Sequence, residues 1–272
     1  MEIEIFDVEH GGCALVTADN GRRILVDCGH NSTTGWRPSQ HLPERGIRQI
    51  DRLIISNYDR DHVSDLPAVL ANIGVPVLSR NPSVWPDLLH AMKAENGMDP
   101  GIGTLAYMAG NYYTQDLPAP QDFGALKVKH YWNVYPVFTD ENNLSLVTIF
   151  QYHDLGVIFP GDIEKAGWLQ LLQRADFRAA LIGVNIFVAS HHGRENGYCP
   201  EVFNWCSPEV VIFSDGAVIH DTQKTAALYR QHTRGIRFFD GATRHVLTTR
   251  RNGMIRVRQT GLGGGLIWVS KG

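Results

Sequence analysis

The chain has 272 residues, 43% of them hydrophobic and 19% charged, a composition that fits a globular protein with a sizeable buried core. The N-terminus "MEIEIFDVEHGG" carries no basic region and no apolar run of signal length, and no stretch of 18 apolar residues occurs, which argues against secretion and membrane spanning. The net charge of −3 is modest, and Cys13, Cys28, Cys199 and Cys206 lack CxxC spacing, so free thiols in a reducing cytoplasm are expected, although Cys199 and Cys206 could pair.

In chain order, "MEIEIFDV" alternates polar and apolar residues, and "CALVTADNGRRILVDCG" reads as two strands around the turn Asp19-Asn20-Gly21. "IRQIDRLIIS" reads as a further strand, "DHVSDLPAVLANIG" as a helix and "VPVLS" as a short strand. Between residues 82 and 125 the periodicity breaks down. Only "VWPDLLHAMKAE" looks helical there, and the remainder reads as an irregular insertion, either a substrate-facing lid carrying Tyr107, Tyr112 and Tyr113 or a loop packed by its own aromatics. Strands resume with "ALKVKHYWNVYPV", "LSLVTIFQY" and "LGVIFPGD". A helix over "KAGWLQLLQRADFRAALIG" follows, then the strands "VNIFVASHHG" and "EVVIFSDG" and a helix over "TQKTAALYRQHTR". Three closing strands lead to a glycine-rich tail, residues 260–272, which could hinge to a last edge strand. No repeat or linker divides the chain, so one domain over 1–272 is expected.

Charge is unevenly spread. Residues 222–258 hold nine Lys/Arg against the single acid Asp240, a local +8 that leaves −11 on the rest. Such a segment is a candidate nucleic-acid surface or simply a solvated strand face.

Three apolar runs end in residues suited to holding a metal. The first enters "SNYDRDH", with Asn57, Asp59, Asp61 and His62; the second ends at Asp162; the third ends at His191 and His192. Strand ends that deliver carboxylate and imidazole groups to one rim are how layered α/β folds build sites, and these oxygen and nitrogen donors suit divalent Mn, Zn or Fe. Asp61 and Ser64 could cap a helix and bind at once, and His10, in a glycine turn, reads as a residue supporting the site or the fold rather than as a ligand.

The order of features resembles the metallo-β-lactamase fold, and specifically the hydrolase domain of competence DNA-uptake proteins (ComEC-like). The similar motifs are "VEHGGCALV", Asp27-Cys28-Gly29, the segment from Asn57 to His62, "NNLSLV", Gly161-Asp162, His191-His192-Gly193, Ser214-Asp215-Gly216 and His220. The resemblance covers nearly the whole chain apart from residues 82–125. It implies an α/β fold, a four-layer αββα sandwich of two sheets with helices outside and a two-metal centre at one edge. By that likeness Asp61, His62 and His191 would hold one metal, Asp162 would bridge, and Asn57 and Asp59 would serve the other. Asn57 stands where the family has histidine, and Ser64-Asp65 where it has Gly-Gly. Asp61 would orient a metal-bound hydroxide, while His192 or His220 would bind substrate oxygens or protonate the leaving group. One or two divalent ions, Mn or Zn, are expected as cofactors. The implied activity is that of a phosphodiesterase or nuclease; the alternatives are a hydrolase of small phosphoesters or cyclic nucleotides, or a non-catalytic binding module with a degraded metal site.

Overall fold

The structure, a computed structural model, describes residues 1–93, 98–115, 119–216, 224–261 and 263–271. Its strands are β1 (Glu2–Ile5), β2 (Ala14–Thr17), β3 (Arg23–Val26), β4 (Arg52–Ile54), β5 (Leu78–Ser79), β6 (Leu126–Trp132), β7 (Leu146–Tyr152) and β8 (Leu155–Phe159). They continue with β9 (Ile186–Val188), β10 (Val210–Phe213), β11 (Ile236–Arg237), β12 (Thr243–Arg244), β13 (Val246–Thr248), β14 (Ile255–Arg258) and β15 (Leu266–Val269). One sheet runs β15-β14-β1-β2-β3-β4-β5 and the other β13-β10-β9-β8-β7-β6, with β11 and β12 forming a small ribbon.

The alternation in β1 is used as the pleat dictates. Ile3 and Ile5 point between the sheets, where they meet Val16, Ile24 and Val26 of one sheet and Phe150, Val157, Ile186 and Ile212 of the other. Glu4, on the opposite side, is buried between Arg45 at 2.8 Å and Arg256 at 2.8 Å. Strands β7 and β8 are buried along nearly their whole length, which is why they read as continuous apolar runs. Helices Pro38–Glu44, Leu66–Asn72, Pro86–Lys93 and Pro100–Asn111 cover the outer face of the first sheet. Helices Lys165–Leu171, Ala175–Leu181 and Ala226–Arg230 cover that of the second. The expected four-layer αββα sandwich, one domain over the chain, is the fold observed.

Several local expectations change. The helix read from Asp61 onward is two short helices, Arg60–Val63 and Leu66–Asn72, with Pro67 inside the first turn of the second. The irregular insertion contains a twelve-residue helix, Pro100–Asn111, capped by Asp99, whose side chain accepts from the Gly101 amide at 2.9 Å. Its glycines hid it from a propensity reading. A Cβ on Gly101 would lie 2.1 Å from the Val63 carbonyl oxygen, so the residue permits close packing on helix Arg60–Val63. The tyrosines do not form a lid over the metal-ligand candidates: Tyr107 and Tyr112 pair with each other on the surface, and the Tyr113 hydroxyl donates to the Val75 carbonyl. All four cysteines are buried and unbonded to one another. Among the described residues no helix is long and apolar enough to cross a membrane. The tail supplies β15 as an edge strand paired with β14.

The basic segment is dispersed over both sheets, and much of its charge is met within the chain. Arg234 pairs with Glu209, Arg244 with Asp240, Arg250 with Asp215, Arg256 with Glu4, and Arg258 with Glu2.

Candidate metal centre

Parallel pairing sets the direction of the site. Strands β3 and β4 run parallel in one sheet, β8, β9 and β10 in the other, and the loops after each of them carry the polar residues. Asp27 follows β3, Ser56 to His62 follow β4, Asp162 follows β8, and His191 and His192 follow β9. The two sheets therefore converge their carboxyl-terminal ends on one rim, as open α/β sheets do.

Four side chains close into a cluster there. Ligand atoms of Asp61, His62, Asp162 and His192 all lie within 4.8 Å of one another. The His62 Nε2 to Asp162 Oδ1 distance is 3.2 Å, His192 Nε2 to Asp61 Oδ2 is 3.3 Å, and His192 Nε2 to Asp162 Oδ1 is 3.4 Å. Donors bound tetrahedrally at ~2.1 Å sit about 3.4 Å apart, so these separations suit a single divalent ion. Among the described residues, the buried His62 Nε2 and Asp162 Oδ1 complete no hydrogen bond of acceptable geometry. Two carboxylates and two imidazoles thus fit a divalent cation by spacing and by donor chemistry.

The surroundings hold this set in place. Asp27 accepts from the Ser56 amide at 2.7 Å and the Ser56 hydroxyl at 2.6 Å, and its Oδ2 lies 2.9 Å from His62 Nδ1. That contact turns His62 Nε2 toward the cluster, the outer partner that ligating histidines usually have. Asp27, His191 and His192 all adopt left-handed backbone conformations, at φ 57°, 51° and 53°. Such conformations are costly for residues with a Cβ and concentrate at functional sites. Two successive ones reverse the chain after β9 and carry the His192 ring inward. Glycines supply the remaining room: a Cβ on Gly29 would lie 2.1 Å from the Asp61 carbonyl oxygen, and one on Gly12 would lie 2.6 Å from Asp27 Oδ2.

Electrostatics follow from the packing. Burial alone would lower both histidines, but Asp162 and Asp27 raise His62 well above the ordinary imidazole value. Asp162 and Asp61 likewise raise His192 to about 9. Against its own burial, Asp162 is held well below the usual carboxylate range by His192 and His62. Without a metal, the packing thus favours charged imidazoles facing charged carboxylates.

The structure distributes the expected ligands differently from the likeness. His192, expected at the substrate, is in the cluster. His191, expected as a ligand, lies outside it, with Nε2 4.0 Å from Asp162 Oδ2 and Nδ1 3.7 Å from Glu164. Asn57 is also outside: its Oδ1 accepts from the Asp59 amide at 2.8 Å, and its Nδ2 donates to Asn142 Oδ1 and Ser145 Oγ, each at 3.2 Å. The Asp59 Oδ1 is 2.5 Å from the Lys93 Nζ, which also reaches Glu141 Oε1 at 2.8 Å. Asn143 is structural, its Oδ1 accepting from the Gly167 amide at 2.8 Å. Ser64 bonds His30, and Asp65 anchors Arg37 and the Ser39 amide. His220 lies outside the described residues.

Asp61, Asp162 and His192 of the cluster line a cleft of about 460 Å³, with His10, His30, Arg60, His191 and Arg194 on its walls. A second hollow of about 470 Å³ shares Asp59 and Arg60 with it and continues past Lys93 and Glu141. Sequence reading missed Lys93, Glu141 and Arg194 as site residues. A lone lysine in "HAMKAE" reads as a solvated helix position, and nothing local marks it otherwise.

The Metallo-beta-lactamase superfamily profile matches residues 7–169, and the chain belongs to that superfamily, whose fold typically carries divalent metal and whose members are generally hydrolases. It is 25% identical to ComE operon protein 3 of Bacillus subtilis, over 94% of this chain and 33% of that protein. A shorter stretch is 34% identical to ribonuclease Z of Clostridium tetani, over 22% of this chain and 18% of that protein. The chain thus spans a third or less of the length of these curated relatives. In fold it is similar to CmlA, a diiron beta-hydroxylase from Streptomyces venezuelae, with a TM-score of 0.55 at 15% identity over 94% of this chain and 54% of that one.

Proposed function

We propose that this protein is a metal-dependent phosphodiesterase acting on a polynucleotide. The observation that carries the reading is the Asp61–His62–Asp162–His192 cluster at the floor of an open groove walled by Arg60 and Arg194. A divalent ion held by these four residues would supply a Lewis acid and an activated water at neutral pH. Asp61, the least buried of the four and a residue that lines the cleft, would hold or accept a proton at its carboxylate. Arg194 is half-buried and lines the wall of the cleft, where a guanidinium suits an anionic oxygen. Arg60 is held by Asp99 at 3.2 Å yet stays largely exposed.

The two adjoining hollows, joined at Asp59 and Arg60, support an extended substrate over a small enclosed one. The local likeness to a protein named ribonuclease Z supports the same reading. A complete four-residue cluster also speaks against a binding module with a degraded site.

The test is a divalent-cation screen of single-stranded DNA, double-stranded DNA, RNA and bis-p-nitrophenyl phosphate. Cleavage of at least one polymer that Asp162→Asn abolishes is expected. Turnover of lactone or thioester substrates with no phosphodiester cleavage would overturn the assignment.

A further inference from the structure

The expected second metal does not fit the residues that were to hold it. An ion on the Asn57 side of the cleft needs free lone pairs from Asn57 and Asp59. The Asn57 carbonyl oxygen is engaged by the Asp59 amide, and the Asn57 amide group by Asn142 and Ser145. Asp59 is engaged by an ammonium: Lys93 Nζ sits 2.5 Å from Asp59 Oδ1 and 2.8 Å from Glu141 Oε1, with the lysine only 4% exposed. A protonated lysine has three donors and no lone pair, so it cannot itself be a ligand, and its positive charge on Asp59 opposes a second cation there. Displacing it would leave a buried ammonium with one partner fewer, a costly arrangement.

We propose that the protein holds one divalent ion, in the Asp61–His62–Asp162–His192 cluster, and that the Lys93 ammonium stands in place of a second. The proposal rests on the metal reading of that cluster. Lys93 reaches the site from the last residue of helix Pro86–Lys93. It borders the second hollow together with Asp59 and Arg60. A substrate lying along the groove would then meet one exchangeable cation and one fixed cation. The fixed charge cannot be removed by chelation, and it is specific to neither manganese nor zinc.

The experiment is a Co(II) titration of the metal-stripped full chain followed by d–d absorbance, with Mn(II) electron paramagnetic resonance as a second measure. One equivalent and an uncoupled six-line manganese spectrum are expected. Two equivalents, or a spin-coupled spectrum, would overturn the proposal while leaving the hydrolase reading intact. No binding would overturn the metal reading beneath it. Asn57→His alone should still take one equivalent, because Lys93 continues to hold Asp59. Asn57→His combined with Lys93→Ser should take two. A second equivalent in the single variant would show that Lys93 does not block the site, and a double variant that folds but stays at one would refute the exchange. Lys93→Arg, which keeps the charge, should remain at one, and uptake of a second ion there would also overturn it. If the double variant fails to fold, the wild-type stoichiometry and the single variants still decide the matter.

Discussion

Loading the metal-free protein with a divalent ion should release two protons per ion at pH 7. In the structure His62 Nε2 and His192 Nε2 both face Asp162 Oδ1, at 3.2 and 3.4 Å. His62 is raised well above the ordinary imidazole value by Asp162 and Asp27, and His192 to about 9 by Asp162 and Asp61. Both rings are therefore charged at pH 7, and each must lose its Nε2 proton to become a ligand. Two positive charges leave as one doubly charged ion arrives, so the buried cluster keeps its net charge and no uncompensated charge is created. With two protons exchanged, the apparent dissociation constant should rise about 100-fold for each pH unit below 7, or ~2.7 kcal/mol per unit. Above about pH 9 His192 is already neutral, and the number of protons released should fall. Isothermal titration calorimetry at pH 7, in buffers of different ionisation enthalpy, reads the proton count from the slope of observed against buffer enthalpy. A slope near zero would refute the reasoning, because it would mean that the rings are neutral in the metal-free state or do not bind the ion.

The same charges predict how the metal-free protein melts. His192 has a folded-state value of about 9, above the ordinary 6.5, so its contribution to stability is full below pH 6.5 and is lost as pH rises through 9; thermal melts of chelator-treated protein should fall across that window, and a flat profile would count against the buried imidazolium. His192→Ala should weaken metal binding by more than the roughly 10–100-fold typical of losing an outer partner, whereas His191→Ala should leave affinity within a few-fold; equilibrium dialysis would expose the reverse ranking if His191 is the ligand. Trp168→Ala should cost about 3–5 kcal/mol in urea unfolding, because the ring is buried against Phe177 and Phe187 and its Nε1 donates to the Gly197 carbonyl. A loss below 1 kcal/mol would mean that this helical layer contributes little.

How much of the site could be read in the sequence depends on the distance over which each feature is determined. Asp61 and His62 are neighbours at a strand end, and Asp162 and the His191-His192 pair close apolar runs, so local pattern and motif order brought out both the fold and most of the ligand candidates. Asp27 stood in the quoted Asp-Cys-Gly motif, but its contact with His62, 35 residues on, did not. Helix Pro100–Asn111 was lost because its glycines are poor helix formers in isolation, and one of them, Gly101, is there to let two backbones touch.

The amino-acid sequence by itself determined the layered architecture, since strand alternation and buried apolar runs are local consequences of which faces must leave water. It also determined that carboxylates and imidazoles would meet at the strand ends. Tertiary structure alone decided which histidine joins them. His191 and His192 are adjacent and chemically identical, and only the left-handed turn at both residues carries one ring into the cluster and leaves the other at its edge. It alone also placed Lys93 against Asp59, across 34 residues of chain. A salt bridge of that span leaves no periodic trace, because it depends on how a helix docks rather than on what the helix is made of.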